Sequence, residues 1–279
     1  MTGLRTRAVS AVIFVALIVG GLLGGPYSFA ALFTVVTVLC LLEFYKMVLD
    51  RYMRRDRMRI ALGIALGLTP HATASAILLG WLPTQDELLL VLLLVFFPLV
   101  FMMFIYELFA GARRPFENIA MLVLGMVYIG APFAMLDYIA FRTGSFDWQL
   151  VLGVLMLTWV SDTGAYLAGS TMGKHKLFPR ISPNKTWEGF AGGATLVLLV
   201  SQIFAVVFPV LTNADWLIIG AIVAVFGSLG DLVESMLKRA LEVKDSGDLL
   251  PGHGGILDRF DAFIFLLPFV SAYLMIFAR

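Results

Sequence analysis

Long runs of apolar residues, separated by short polar segments, extend along the whole chain. A helix that crosses the hydrocarbon core of a bilayer needs about 20 mostly apolar residues. By that rule the pattern predicts about nine transmembrane helices, at residues 8–23, 27–49, 59–82, 87–110, 118–141, 148–170, 187–209, 216–237 and 260–278. We interpret the first run as an uncleaved helix because it is long and a second run follows at once. The predicted fold is an all-α polytopic integral membrane protein.

The composition agrees with this fold and excludes several other classes of protein. Of the 279 residues, 60% are hydrophobic and 14% are charged, whereas soluble domains are about half apolar and about a quarter charged. So few charges cannot cover the surface of a soluble enzyme. The net charge of +1 gives no reason to expect a nucleic-acid partner. The single cysteine, Cys40, excludes internal disulfides and zinc sites built from cysteine.

The basic residues predict the orientation of the chain in the membrane. If the N-terminus lies in the cytoplasm, every lysine and arginine except Arg142 and Arg279 falls in a cytoplasmic segment. This distribution is the one that the positive-inside rule requires. We therefore expect an inner (cytoplasmic) membrane protein with a cytoplasmic N-terminus and with any active site facing the cytoplasm.

The two halves of the chain differ in character. Residues 1–147 hold five predicted spans joined by short loops, and we expect them to form a lipid-embedded scaffold. Residues 148–279 hold four spans and two longer cytoplasmic loops rich in His, Asp, Lys, Gly and Ser. Catalytic chemistry is therefore expected in the C-terminal half. The sequence shows no internal repeat of the kind that many transporters carry.

Three aspartates lie at a similar depth in three of the C-terminal spans. At about 1.5 Å of rise per residue, Asp162, Asp231 and Asp261 lie about 21, 22 and 25 Å from the outer ends of their spans. Because the hydrocarbon core is about 30 Å thick, all three lie near its cytoplasmic boundary, where lipid phosphates are found. Converging carboxylates repel one another unless a cation lies between them, and hard oxygen ligands favour Mg²⁺.

A structural role for these and other acids is the alternative. Helical spacing places four side chains on one face, namely Asp231, Glu234, Ser235 and Lys238. Glu234 is therefore expected to pair with a basic residue at the helix end, such as Lys238. Glu43, in the second span, is likewise expected to pair with Lys46, one turn later.

The loop at residues 173–189 has features of a phosphate site. Ser182 followed by Pro183 predicts the start of the seventh helix, with Ser182 as its N-cap. Lys185 and Thr186 would then lie on the first turn, where free backbone N–H groups and a lysine suit a phosphate. An ordinary basic cytoplasmic loop is the alternative.

The loop at residues 238–259 contains three glycines in four positions, which permit close approach of the backbone to a ligand. They are Gly252, Gly254 and Gly255. His253, which lies among them, either donates a hydrogen bond to a phosphate or caps a turn.

Three segments of the C-terminal half resemble one family. Residues 235–261 resemble the signature of phosphatidate cytidylyltransferases, also called CDP-diacylglycerol synthases. Residues 161–166 and 182–189 resemble two further motifs of that family, in the expected order. Asn184 stands where the family often has a basic residue, and the first five spans resemble the family in hydropathy alone.

The resemblance implies an activity and a set of partners. Members transfer a cytidylyl group from CTP to phosphatidic acid, release pyrophosphate and form CDP-diacylglycerol, with a requirement for Mg²⁺. The resemblance leaves room for a second cation that the aspartates would bridge. The phosphate of the lipid would attack the α-phosphate of CTP. The family also suggests a homodimer in the bilayer.

The residue assignments combine this resemblance with the patterns above. The residues assigned to catalysis are Asp231, Asp258, Asp261, Lys244 and Arg259, of which the three aspartates are also assigned to the metal. The residues assigned to substrate binding are Asp162, Lys185, Thr186, Ser235, Lys238, Arg239, His253, Gly254 and Gly255. Two other functions stay open at this point, a CTP-dependent lipid kinase and an ion-coupled transporter.

Overall fold

Helices make up most of the protein in the computed structural model, which describes residues 2–49, 56–82, 91–249 and 254–278. The helices are α1 (Thr2–Leu23), α2 (Pro26–Val48), α3 (Asp56–Leu78), α4 (Phe97–Ala110, preceded by the π-helical turn Leu92–Phe96), α5 (Pro115–Ala140), α6 (Trp148–Met172), α7 (Trp187–Val207), α8 (Asn213–Ala240) and α9 (Leu257–Ile276). Two short strands, β1 (Lys176–Phe178) and β2 (Ser182–Thr186), form an antiparallel hairpin between α6 and α7.

The helices confirm the prediction of an all-α polytopic membrane protein. Within the described residues, the eight helices α2 to α9 are long and apolar enough to cross a bilayer, with α4 counted together with its π-helical turn. Each of them overlaps one predicted span. The first predicted span coincides with α1, in which Val9–Leu23 forms a shorter apolar segment.

The chain divides into two compact units. The first unit consists of Met1–Tyr138 together with Asp245–Asp258, and the second consists of Ile139–Lys244 together with Arg259–Arg279. The segment Asp245–Asp258 therefore belongs to the same unit as the N-terminal helices, although it is part of the loop at residues 238–259 in the C-terminal half of the sequence. We call this segment the glycine loop, and its residues 250–253 lie outside the described part of the chain.

Buried polar pairs connect the helices of the first unit. Arg59 of α3 forms a fully buried ion pair with Glu107 of α4. The Asn118 side chain of α5 donates a further hydrogen bond of 3.1 Å to Glu107. In a second pair, the Nδ1 atom of His71 on α3 lies 2.8 Å from Oδ2 of Asp137 on α5. Such pairs satisfy charges that would be costly to leave alone in an apolar interior.

Small residues let α6 and α7 pack closely in the second unit. A Cβ atom added to Gly192 of α7 would lie 2.2 Å from the Cβ of Ala168 on α6, and one added to Gly193 would lie 2.7 Å from the carbonyl oxygen of Ser161. Small residues at helix interfaces are typical of membrane proteins, because they allow backbones to approach. This contact brings the middle of α6 next to the start of α7.

Side-chain caps define where three helices of the second unit begin. The Asp147 carboxylate accepts a hydrogen bond of 2.8 Å from the backbone N–H of Gln149 at the start of α6. Thr212 and Asp215 form a reciprocal capping box at the start of α8. For α7 the cap is Thr186, whose hydroxyl oxygen accepts a hydrogen bond from the Gly189 N–H at 3.1 Å.

The predicted start of the seventh helix at Ser182 is wrong. Residues 182–186 form strand β2, in which Thr186 pairs with Lys176 and Ser182 pairs with Phe178. The local signal of a serine before a proline is overridden, because the hairpin supplies backbone partners that a helix start at this point would lose. A proline is tolerated in this two-stranded sheet, whose strands are both edges. Lys185 and Thr186 consequently precede α7 and do not lie on its first turn.

Candidate active site

A cavity of about 290 Å³ lies in the second unit, among α6, the hairpin, α7 and α8. Its walls include both apolar and polar side chains, among them Ser161, Asp162, Tyr166, Lys185, Thr186 and Asp231. Four of these six were predicted as site residues from the sequence. The fold therefore gathers groups from three separate stretches of the chain around one space.

Lys185 and Asp231 form an ion pair at this cavity. The Nζ atom of Lys185 lies 2.5 Å from Oδ2 of Asp231, and the two side chains are 27% and 36% exposed. The Ser235 hydroxyl, one turn further along α8, donates a hydrogen bond of 3.3 Å to Oδ1 of Asp231. A π-helical turn at Val223–Gly227 precedes this part of α8, and such turns are frequent at functional sites because they change the face that a helix presents.

A second carboxylate faces the same group of charges. Asp162 lines the cavity from α6, and it interacts electrostatically with Asp231, Lys185 and Arg259. Two acids and two basic side chains of the second unit are thus close enough to influence one another. Such a mixture can bind an anion through its basic groups and a cation through its carboxylates.

Thr186 has a structural function in addition to its place on the cavity wall. It is 4% exposed and caps α7. A Cβ atom added to Gly173 would lie 2.8 Å from the hydroxyl oxygen of Thr186. The chain after α6 therefore passes close to the Thr186 side chain. The cap fixes the end of β2, and with it the position of Lys185.

Other predicted residues of α8 form contacts away from the cavity lining. Lys238 lies 2.5 Å from Oε2 of the buried Glu234, which confirms the pairing expected for Glu234. Arg239 is exposed, and its Nε donates a hydrogen bond of 3.4 Å to the carbonyl oxygen of Ile181 in the hairpin. Arg239 therefore connects the end of α8 to the turn of the hairpin.

Asp261 lies on α9, where that helix packs against α8. A Cβ atom added to Gly230 would lie 3.1 Å from the Asp261 carbonyl oxygen and 2.6 Å from the Phe265 Cβ. The Asp261 carboxylate accepts a hydrogen bond of 2.7 Å from the Ala262 N–H, and it interacts electrostatically with Asp231.

The part of the chain that the structure describes contains no group of three or more His, Cys, Asp or Glu side chains arranged to hold a metal ion. This finding does not conflict with Mg²⁺, which is usually held by one or two carboxylates together with substrate phosphates and water. Asp162 and Asp231 are two such carboxylates at one cavity. The chemistry of the donor set therefore fits the ion.

Asp258 organises the glycine loop within the first unit. Its Oδ2 atom accepts hydrogen bonds from the backbone N–H groups of Ser246 at 3.0 Å and Gly255 at 2.9 Å. Gly254 has a φ of +80°, and a Cβ atom at this position would lie 2.8 Å from the same Oδ2. This close approach explains the glycine at 254. His253 falls outside the described residues, while Lys244 is exposed in the second unit.

Two acids have important contacts that were not predicted from the sequence. Both carboxylate oxygens of Glu43 accept hydrogen bonds from the glycine loop, whereas the sequence suggested a partner in its own helix. Glu188 accepts hydrogen bonds from the backbone N–H groups of Lys174 and His175 and so holds the start of the hairpin to α7. The signal for Glu43 was its place in an apolar span, but its partners are more than 200 residues away.

The Cytidylyltransferase family is the family whose sequence model matches this chain, over residues 5–277. The chain belongs to this family. It is therefore a nucleotidyltransferase, and its long apolar helices make it an integral membrane enzyme.

Named relatives support the family membership over nearly the full length. A phosphatidate cytidylyltransferase from Staphylococcus saprophyticus is 36% identical over 274 residues, which cover 98% of this chain and 99% of the relative. Relatives of the same name from Bacillus subtilis and Staphylococcus aureus are 41% and 44% identical over 181 and 178 residues, about two thirds of each relative. The similarity to the first relative includes the N-terminal helices of this cytidylyltransferase, which hydropathy alone had connected to the family.

Proposed function

We propose that this cytidylyltransferase transfers the cytidylyl group of CTP to phosphatidic acid and releases pyrophosphate and CDP-diacylglycerol. The observation that carries the proposal is the relative named phosphatidate cytidylyltransferase, at 36% identity across 98% of the chain. The cavity of the second unit supports it, because basic and acidic side chains from α6, the hairpin and α8 surround one space.

The proposed reaction needs no nucleophile from the protein. An oxygen of the lipid phosphate attacks the α-phosphorus of CTP, a new P–O bond forms, and the bond from the α-phosphorus to the bridging oxygen breaks. The electron pair of that bond leaves with pyrophosphate. Because both substrates are polyanions, the work of the enzyme is to position them and to neutralise their charge.

Side chains that line the cavity, or that act on the residues lining it, can do this work. Lys185 and Arg259 offer positive charge to the phosphates, and the Ser235 hydroxyl, which contacts Asp231, is placed to orient the Asp231 carboxylate. Lys185 forms an ion pair with Asp231 in the structure. We infer that Lys185 turns to the phosphates when they bind, which exposes the Asp231 carboxylate to a cation.

Mg²⁺ is proposed as the cofactor, with Asp231 and Asp162 as the residues that hold it. When bound, the ion would neutralise the phosphate oxygens and act as a Lewis acid. Asp258 and Asp261 stay predicted metal ligands, on the strength of the family resemblance. The same resemblance is the basis for proposing a second cation and a homodimer.

We further propose that the active site faces the cytoplasm at the inner membrane. The distribution of lysine and arginine supports this orientation, and CTP is a soluble substrate that must reach the cavity from an aqueous side. The acyl chains of the lipid would stay in the bilayer.

The deciding experiment combines the purified protein with α-labelled CTP, phosphatidic acid and Mg²⁺, followed by lipid extraction. We expect label in the lipid phase as CDP-diacylglycerol, together with one pyrophosphate per turnover. Release of CDP with a phosphorylated lipid would identify a lipid kinase instead. Ion flux through liposomes in the absence of nucleotide would favour a transporter.

A further inference from the structure

Glu43 is a buried carboxylate in the transmembrane helix α2. It is 2% exposed. Its Oε1 atom accepts a hydrogen bond of 3.0 Å from the Ile256 N–H, and its Oε2 atom accepts bonds of 2.8 Å from the Leu257 N–H and 3.1 Å from the Ser246 hydroxyl. All three donors belong to the glycine loop, within the first unit.

The backbone of the glycine loop wraps closely around this carboxylate. A Cβ atom added to Gly247 would lie 2.6 Å from Oε1 of Glu43, and one added to Gly255 would lie 2.4 Å from Oε2. A larger residue at either position would push the loop away from Glu43. The two glycines therefore have a packing reason that is specific to this contact.

Glu43 also completes the start of α9. The first N–H groups of a helix lack partners within the helix, and those of Ile256 and Leu257 find theirs on Glu43. A negative charge at a helix N-terminus is further favoured by the helix dipole. The carboxylate that caps α9 thus comes from a helix more than 200 residues earlier in the chain.

The same loop connects Glu43 to Asp258. Ser246 donates its hydroxyl to Glu43 and its backbone N–H to Asp258. Gly255 donates its N–H to Asp258, and the next residue, Ile256, donates to Glu43. Two carboxylates therefore share one short stretch of backbone, so a displacement of the loop from Glu43 also removes the groups that orient Asp258.

We propose that Glu43 is a positioning residue for cytidylyl transfer, which holds the glycine loop and thereby orients Asp258. This inference rests on the proposed function, because Asp258 is assigned to the reaction there. Its proposed effect on the reaction is indirect, through the loop that it holds. It gives the N-terminal unit a part in the chemistry beyond that of a lipid-embedded scaffold.

The first test measures the loop directly by hydrogen–deuterium exchange of the purified protein in detergent, without substrate. In Glu43→Gln and Glu43→Ala, peptides that contain residues 245–258 should exchange at least about tenfold faster, as expected when hydrogen bonds to a charged acceptor are lost. Peptides from α6 and α7 should exchange as in the wild type. Unchanged exchange of the loop would overturn the proposal.

The second test measures kcat/KM for CTP in the same variants. The loss should be graded, largest in Glu43→Ala and smaller in Glu43→Gln, because glutamine keeps one carbonyl oxygen as an acceptor. Ser246→Ala should show the smallest loss, since it removes the hydroxyl donor and leaves the backbone donors in place. Should Glu43→Ala not fold, the other two variants carry the test.

Asp137→Asn is the matched control, because Asp137 is another buried acid of the first unit and its partners are His71 and Ser75. It should lower the melting temperature without changing loop exchange or kcat/KM. Faster loop exchange with wild-type kcat/KM in Glu43→Gln would show an anchor with no part in the reaction. A wild-type protein that forms no CDP-lipid would instead overturn the proposed function and this inference with it.

Discussion

The Nζ atom of Lys185 lies 2.5 Å from Oδ2 of Asp231. This ion pair joins the C-terminal end of β2 to α8 at the cavity of the second unit. Lys185 was predicted to bind phosphate and Asp231 to bind a metal, and the sequence analysis made no prediction about a contact between them. The pairing is physically reasonable because two partly buried charges of opposite sign stabilise each other where water is scarce. It also predicts different consequences for the loss of each partner.

Replacement of Asp231 by asparagine should reduce formation of CDP-diacylglycerol by about 100-fold or more, because a neutral amide would hold the proposed Mg²⁺ much more weakly than the carboxylate. The measurement is transfer of label from CTP to lipid by the purified variant. Asp215→Asn is a matched control, since Asp215 lies on the same helix and contacts Thr212 and Tyr273. Turnover near the wild-type rate in Asp231→Asn would remove this residue from the reaction.

Replacement of Lys185 by alanine should mainly weaken binding. We expect KM for CTP or for phosphatidic acid to rise about tenfold, equivalent to about 1.4 kcal/mol, with a smaller change in kcat. Lys176→Ala is the comparison, because Lys176 is exposed on the partner strand of the same hairpin. If the kinetics of Lys185→Ala match those of Lys176→Ala, Lys185 is not part of the site.

The two candidate caps of α7 make opposite predictions for stability. Thr186→Ala should cost about 1 kcal/mol, the usual effect of removing a capping side chain. Ser182→Ala should leave the melting temperature nearly unchanged, because Ser182 lies in β2 and caps no helix. Thermal unfolding in detergent distinguishes the two, and an equal effect of both substitutions would contradict the observed start of α7.

The contact between α6 and α7 should be sensitive to a single methyl group. Gly192→Ala would place a Cβ 2.2 Å from that of Ala168, and overpacking of this kind typically costs about 1–3 kcal/mol. Gly20→Ala is the control, since nothing lies within 4 Å of a Cβ there. We expect a lower melting temperature for Gly192→Ala alone. A stability equal to that of the control would mean that the two helices can separate without cost.

The number and the bounds of the helices could be predicted closely from the sequence. The predicted span 148–170 corresponds to Trp148–Met172, and the predicted span 27–49 corresponds to Pro26–Val48. These predictions succeed because the length of an apolar run is a local property and the thickness of the bilayer is constant. The pairing of Glu234 with Lys238 was predictable for a similar reason, since residues four apart on a helix are neighbours.

The start of α7 was mispredicted, because a local cap signal at Ser182 competes with the pairing of two strands. The hairpin gives the backbone of residues 182–186 partners on Lys176–Phe178, and no single-residue preference can report that. Because β2 ends at Thr186, this residue directly precedes α7 and is its N-cap.

The sequence by itself determined that this is a polytopic membrane enzyme of the cytidylyltransferase type, because hydropathy and the motifs of the C-terminal half are read along the chain. Only the tertiary structure decided which charges from distant parts of the chain meet, because the packing of the helices determines which of them are neighbours. The contacts of Lys185 with Asp231 and of Glu43 with the glycine loop join residues far apart in the sequence, so the spacing of residues along the chain does not predict them.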